Sequence, residues 1–257
     1  MLMDSHCHLT YEPLATMLDG VLARAAAAGV SNCITIGTHL ADVRAAIDLA
    51  GRHAHIFASA GIHPHEAAKS PDGWEVELRK LAGDPRVVAI GEMGLDYHYD
   101  FAPRDAQRRV FEGQLSIAIE LERPVIIHCR EAHADVLGVL AAFPQVSRVV
   151  FHCFTGTVTE AREILDRGWW ISLTGVVTFK NAGQLADVAR MLPGDRFMVE
   201  TDSPYLSPEP VRSARPNEPA HVVHVARRIS ELRGERFEDL AARTRANTIR
   251  FFGLPID

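Results

Sequence analysis

Eight times along this 257-residue chain a short apolar, β-rich run gives way to a stretch with helical spacing, and that alternation limits the fold more than any other feature. The runs are Met1–Leu9, Asn32–Gly37, His55–Ile62, Arg86–Ile90, Pro124–Ile127, Arg148–Phe151, Trp169–Leu173 and Phe197–Val199. Between them lie stretches such as Pro13–Gly29, Leu40–Ala54, Arg104–Glu122 and Gln184–Leu192, whose apolar residues recur every three or four positions, as on one helix face. Parallel strands need long crossovers, so strands separated by helices favour a parallel sheet. Eight such units in about 250 residues fit an α/β fold of the (β/α)8 TIM-barrel class. An open doubly wound sheet would carry a glycine-rich phosphate loop after its first strand, and none is present. Without a linker, low-complexity tract or repeat, residues 1–257 are expected to form one domain.

The way these runs end is as regular as their spacing. The first closes on His6 and His8, the third on His63 and His65, the fourth on Glu92, the fifth on His128, the sixth on His152 and the eighth on Asp202. In a strand, alternate side chains share a face, so His6 and His8 point together and Cys7 points away. In a (β/α)8 fold the strand ends converge on one mouth, where function resides. Imidazoles and carboxylates gathered unpaired in such a cavity are costly; divalent cations remove that cost. The inventory suits two ions: His6, His8 and Asp202 for one, His128 and His152 for the other, with Glu92 bridging. Two ions a few ångströms apart share and acidify a water and clamp both oxygens of an in-line displacement. Nitrogen and oxygen ligands suit zinc, manganese or iron better than calcium, with magnesium also open. A bridging carboxylated lysine has no candidate here, because Lys69, Lys80 and Lys180 end no strand.

Composition narrows the partners. A formal net charge of −6 provides no overall basic field, so a nucleic acid would have to be gripped locally by metal and a few arginines. No run is long enough to span a bilayer, and the basic-then-apolar layout of a signal peptide is missing. The four cysteines (Cys7, Cys33, Cys129, Cys153) sit inside apolar runs without a C-x-x-C pair, which reads as reduced thiols in the cytoplasm.

Several separate stretches together resemble the TatD-type metal-dependent deoxyribonucleases over the full chain. They are Asp4-Ser5-His6-Cys7-His8-Leu9, Gly61-Ile62-His63-Pro64-His65, Gly91-Glu92-Met93-Gly94-Leu95-Asp96-Tyr97 and Ile127-His128-Cys129-Arg130. The series continues with His152-Cys153-Phe154-Thr155-Gly156, Glu200-Thr201-Asp202-Ser203-Pro204-Tyr205 and Asn217-Glu218-Pro219. The resemblance implies a TIM-barrel hydrolase that binds two divalent cations (Mg, Mn or Zn) and cuts DNA phosphodiesters, often from the 3′ end. It implies ligand roles for His6, His8, Glu92, His128, His152 and Asp202, the six that position also selects. Two segments depart from the family pattern. The lip Pro208–Pro219 lacks the usual glycine and lysine, and His98 replaces an aromatic after Asp96. Both bear on substrate identity, so a small-molecule amidohydrolase or esterase is the alternative.

The expected mechanism is attack on phosphorus by a hydroxide held between the ions, with Asp202 relaying its proton and Glu92 and His63 completing the catalytic set. His63, His65, Arg130, Tyr205 and Arg212 are the expected substrate contacts, with Arg215 beside them on the lip. Tyr97 and Phe154 join Tyr205 as candidate base-stacking rings, Asp96 as support for a ligand, and Glu200 as a buttress one layer below Asp202. The expected partner is single-stranded DNA or an oligonucleotide, with RNA as a second substrate; no membrane or obligate protein partner is inferred, and the chain is expected to act as a monomer.

Overall fold

The structure, a computed structural model, describes residues 1–99 and 101–256. Its elements are β1 (Leu2–Cys7), α1 (Leu18–Ala27), β2 (Val30–Thr35), α2 (Leu40–Arg52), β3 (Ile56–Ala60), α3 (Trp74–Ala82), β4 (Val87–Asp96) and α4 (Arg104–Glu120). They continue with β5 (Val125–Arg130), α5 (His133–Ala141), β6 (Val149–Phe151), α6 (Val158–Asp166), β7 (Trp170–Leu173), α7 (Leu185–Met191), β8 (Phe197–Val199), α8 (Val222–Arg233) and α9 (Phe237–Phe252). The eight strands lie in chain order in one parallel sheet and alternate with helices, the (β/α)8 class expected from the run pattern. None of the described helices is long and apolar enough to cross a membrane.

The chain packs as two compact units, Met1–Thr35 with Cys153–Asp257, and Ile36–His152. In the first, every residue of β1 is buried, and β1 pairs in parallel with β2 as β7 does with β8. Helices α8 and α9 cover this core with Val225, Ile229, Leu240 and Phe251. Each ends at a glycine with φ of +65°, Gly234 and Gly253, the left-handed stop that other residues enter at a penalty.

In the second unit, β3 through β6 form consecutive parallel pairs. Burial of whole strands explains their continuous apolar runs, Val87-Val88-Ala89-Ile90 among them. Helix α4 lays Val110, Phe111, Leu115 and Ala118 into this core. The fourth strand corrects the boundary expected from sequence. It does not end at Ile90 but runs on to Asp96, pairing Met93 with Ile127, Gly94 with His128 and Asp96 with Arg130. A Cβ on Gly94 would lie against the His128 carbonyl oxygen, and its φ is +144°, so only glycine lets the two backbones approach here. Glu92 therefore projects from within a strand rather than from a loop.

Candidate functional site

In the first unit, β1 and the residue that follows it carry three polar side chains at alternate positions: Asp4, then His6, then His8 just past the strand end. The segment after β8 is laced to this strand by its backbone. Asp202 N donates to the His6 carbonyl (3.0 Å) and His8 N donates to the Ser203 carbonyl (2.7 Å). That lacing brings Asp202 Oδ1 to 3.2 Å from His8 Nε2 and 3.6 Å from His6 Nε2. Asp202 itself has φ of +54°, a conformation aspartate tolerates better than most residues.

Two deeper carboxylates hold this arrangement. Asp4 accepts from Thr201 N (2.9 Å), Thr201 Oγ1 (2.5 Å) and His6 N (3.3 Å). Complete burial, against those hydrogen bonds, pushes its carboxyl up to about 8. Glu200 accepts from Cys153 N (2.6 Å), Ser172 Oγ (2.6 Å) and Ser5 Oγ (3.4 Å), so it is the buttress the sequence suggested. Asp4 was missed, although its place two residues before His6 is the counterpart of Glu200 before Asp202. Asn217 braces the loop from outside, donating to the carbonyls of Thr201 (3.1 Å) and Tyr205 (2.5 Å). Its neighbour Glu218 takes both Arg24 Nε and Nη2 from α1.

In the second unit, three imidazoles converge on one carboxylate oxygen. Glu92 Oε1 lies 2.6 Å from His152 Nε2, 2.8 Å from His128 Nδ1 and 3.4 Å from His63 Nε2. Burial would raise the Glu92 carboxyl, but His152, His63 and the His128 hydrogen bond outweigh it and hold it well below the usual range. Asp96 stands on the far side of His128, its Oδ2 2.9 Å from His128 Nε2 and 3.0 Å from His65 Nε2. Burial opposes ionisation of Asp96 too, yet these imidazoles and the Tyr99 N–H lower its pKa. Burial likewise opposes the His128 imidazolium, and the hydrogen bonds to Asp96 and Glu92 overcome it, raising its pKa. For His63, burial dominates and lowers the ring to about 4. His63 also caps the short 3₁₀ segment Pro64–Lys69, with Nδ1 accepting from His65 N at 3.1 Å, so its Nε2 carries the proton of the neutral ring.

Two glutamines of α4, seven positions apart and so on one helix face, pin the end of β4 and the segment that follows β3. Gln107 Oε1 accepts from Asp96 N while its Nε2 donates to the Asp96 carbonyl. Gln114 does the same for Ile62 N and O. Neither was legible from sequence, because a buried helical glutamine looks like any solvated one until its backbone partners are known.

The donor set fits a divalent cation. Glu92 and His128 bring a carboxylate oxygen and a ring nitrogen together with a His63 nitrogen alongside, all within 4.8 Å of one another, and His6 and His8 flank Asp202 in the first unit. Mixed imidazole and carboxylate ligands are what zinc, manganese and related ions take. The outer contacts are less uniform. Tyr205 is half exposed and meets His8 edge-on at 6.1 Å. Arg130 is exposed, with its guanidinium 4.7 Å over the Tyr99 ring. Arg212 lies 3.8 Å over Phe179, and Arg215 ties Ser207, Arg212 and Ala214 together within the lip. Phe154 is buried, which removes it as a stacking ring. Tyr97 is braced by Asp135 (2.7 Å) and by the Arg104 guanidinium (3.9 Å).

Comparison with known proteins gives a consistent picture. The sequence model of the family described as TatD related DNase matches residues 3–253. The chain is 44% identical to the uncharacterized metal-dependent hydrolase YcfH of Escherichia coli (strain K12), covering 98% of this chain and 95% of that one. It is 40% identical to the 3'-5' ssDNA/RNA exonuclease TatD of Citrobacter koseri, covering 98% and 99%. Among solved structures, YJJV, a TatD homologue from Escherichia coli K12, superposes with a TM-score of 0.94 at 29% identity, covering 99% and 98% of the two chains.

Proposed function

Because the chain belongs to the TatD-related DNase family, and so is a metal-dependent hydrolase, we propose that it shortens single-stranded DNA, with RNA as a second substrate, from the 3′ end. The observation that carries this reading is the convergence of His63, His128 and His152 on Glu92 Oε1. Relatives named as 3'-5' ssDNA/RNA exonucleases favour a nucleic acid over a small amide or ester.

We assign His6, His8 and Asp202 to one divalent cation and His128 and His152 to a second, with Glu92 as the carboxylate of the set. Bound there, magnesium, manganese or zinc would acidify water and neutralise charge on the phosphoryl oxygens. Asp202 accepts the proton of the attacking water. The water oxygen bonds to phosphorus as the P–O3′ bond breaks, freeing a 5′-nucleotide, and the 3′ oxygen takes a proton from solvent. His63, neutral with its proton on Nε2, donates a hydrogen bond to a phosphoryl oxygen rather than serving as the acid. Asp96 keeps His128 and His65 oriented, as carboxylates beside metal-binding histidines commonly do. Arg130, Tyr205 and Arg212 are assigned to the flanking substrate.

The family match runs through both units, which supports reading 1–257 as one hydrolase domain. All four cysteines are free thiols, in keeping with a reducing cytoplasm; action as a monomer is part of the proposal. The test is a 5′-labelled single-stranded oligonucleotide incubated with Mn2+ or Mg2+. A ladder shortening from the 3′ end, abolished by chelator and by Asp202→Asn, is expected. Intact oligonucleotide under every metal condition would refute the assignment.

A further inference from the structure

Beyond the polar cluster of the second unit stands an aromatic pair that the sequence reading passed over. The rings of Tyr99 and Phe101 stack at 5.4 Å with 17° between planes, yet they remain 46% and 65% exposed. Arg130 lays its guanidinium 4.7 Å over Tyr99. The edge of His65 packs against both rings, at 5.5 Å and 4.8 Å. The pair is held in place: Tyr99 N donates to Asp96 Oδ1 (3.0 Å), and Asp96 Oδ2 takes His65 and His128. His65 in turn lies 4.3 Å from the His63 ring. One ring therefore separates the exposed pair from the imidazole assigned to the phosphoryl group.

Two large rings left in water beside an arginine are a poor choice for a rim that only needs to be soluble. Flat π faces with a guanidinium alongside are what unpaired nucleobases stack upon, and the contact tolerates any base. The net charge of −6 makes such local grips necessary for a polyanion. We propose that Tyr99 and Phe101, with Arg130, form a stacking platform for a base of the single strand next to the bond being cut. This rests on the nucleic-acid reading above and adds to it the residues that choose an unpaired strand: a base still inside a duplex cannot offer its face.

The test measures binding of short single-stranded oligonucleotides by fluorescence anisotropy, in the Asp202→Asn background with Mn2+ so that the strand stays intact. Each of the three 3′-terminal positions is made abasic in turn. The wild-type platform should lose about 10-fold in affinity at one of these positions, within the range of a single base–aromatic stack. Tyr99→Ala and Phe101→Ala should erase that discrimination, and Tyr99→Phe should restore it; a fold merely damaged by the substitution would weaken intact and abasic strands alike. Equal affinity for intact and abasic strands, or discrimination that survives both alanine variants, overturns the platform while leaving exonuclease activity standing. No affinity for any strand, while the wild-type protein still hydrolyses bis(4-nitrophenyl) phosphate, overturns the nucleic-acid reading together with it. A dimer that dissociates on Tyr99→Ala with oligonucleotide discrimination unchanged would reassign the rings to self-association.

Discussion

His128 Nε2 lies 2.9 Å from Asp96 Oδ2 while its Nδ1 lies 2.8 Å from Glu92 Oε1. One imidazole is thereby aligned by a carboxylate on each side, one of them assigned as a ligand and the other behind it. The same Asp96 oxygen takes His65, its second oxygen takes the backbone of His98 and Tyr99, and Gln107 fixes its main chain. Asp96 is the joint between the side chains assigned to metal and the rim.

Asp96→Asn tests that joint. The amide presents a donor where two imidazole N–H groups need an acceptor, so His128 loses its fixed tautomer. Divalent-metal affinity should fall by roughly 10- to 100-fold, the usual effect of losing a carboxylate behind a metal-binding histidine. Competition against a chromophoric chelator measures it; unchanged affinity would make Asp96 a loop brace only.

Stability against pH tests the burial of His63. Its pKa falls from an ordinary 6.5 to about 4 in the fold, so the folded state prefers the neutral ring. The associated stability is present above 6.5 and is lost as pH drops toward 4, amounting to roughly 3 kcal/mol at most. Urea unfolding of the metal-free protein should show this decline, and His63→Gln should flatten it. An identical decline in the variant would assign the acid sensitivity elsewhere.

Asn217→Ala removes two side-chain hydrogen bonds to the loop that carries Asp202 and leaves the Thr201 and Tyr205 carbonyls with one partner fewer. A loss of about 2 kcal/mol in unfolding free energy is expected. Turnover should fall further than substrate affinity, because Asp202 shifts relative to His6 and His8. An equal change in both would point to general unfolding.

The parts of this fold that the sequence announces are those whose signal is continuous. Parallel strands buried on both faces leave apolar runs, and the ends of these runs mark where polar side chains emerge: His6 and His8 beside Asp202, and His63, His128 and His152 around Glu92. The fourth strand was read too short because Gly91-Glu92-Met93-Gly94 looks like a loop, whereas its glycines serve close backbone approach to β5. Gln114 was invisible because its partner, Ile62, lies 52 positions away. Tyr99 and Phe101 were passed over for Phe154 and Tyr97, since residue type alone does not tell a packed ring from an exposed one.

Anomalous diffraction from crystals of the wild-type protein soaked in Mn2+ tests the metal assignment most directly. Peaks are expected beside His6, His8 and Asp202 and beside Glu92, His128 and His152, vanishing at the second position in Glu92→Gln. Ordered manganese elsewhere on the protein, with both groups of side chains free of it, would contradict the account.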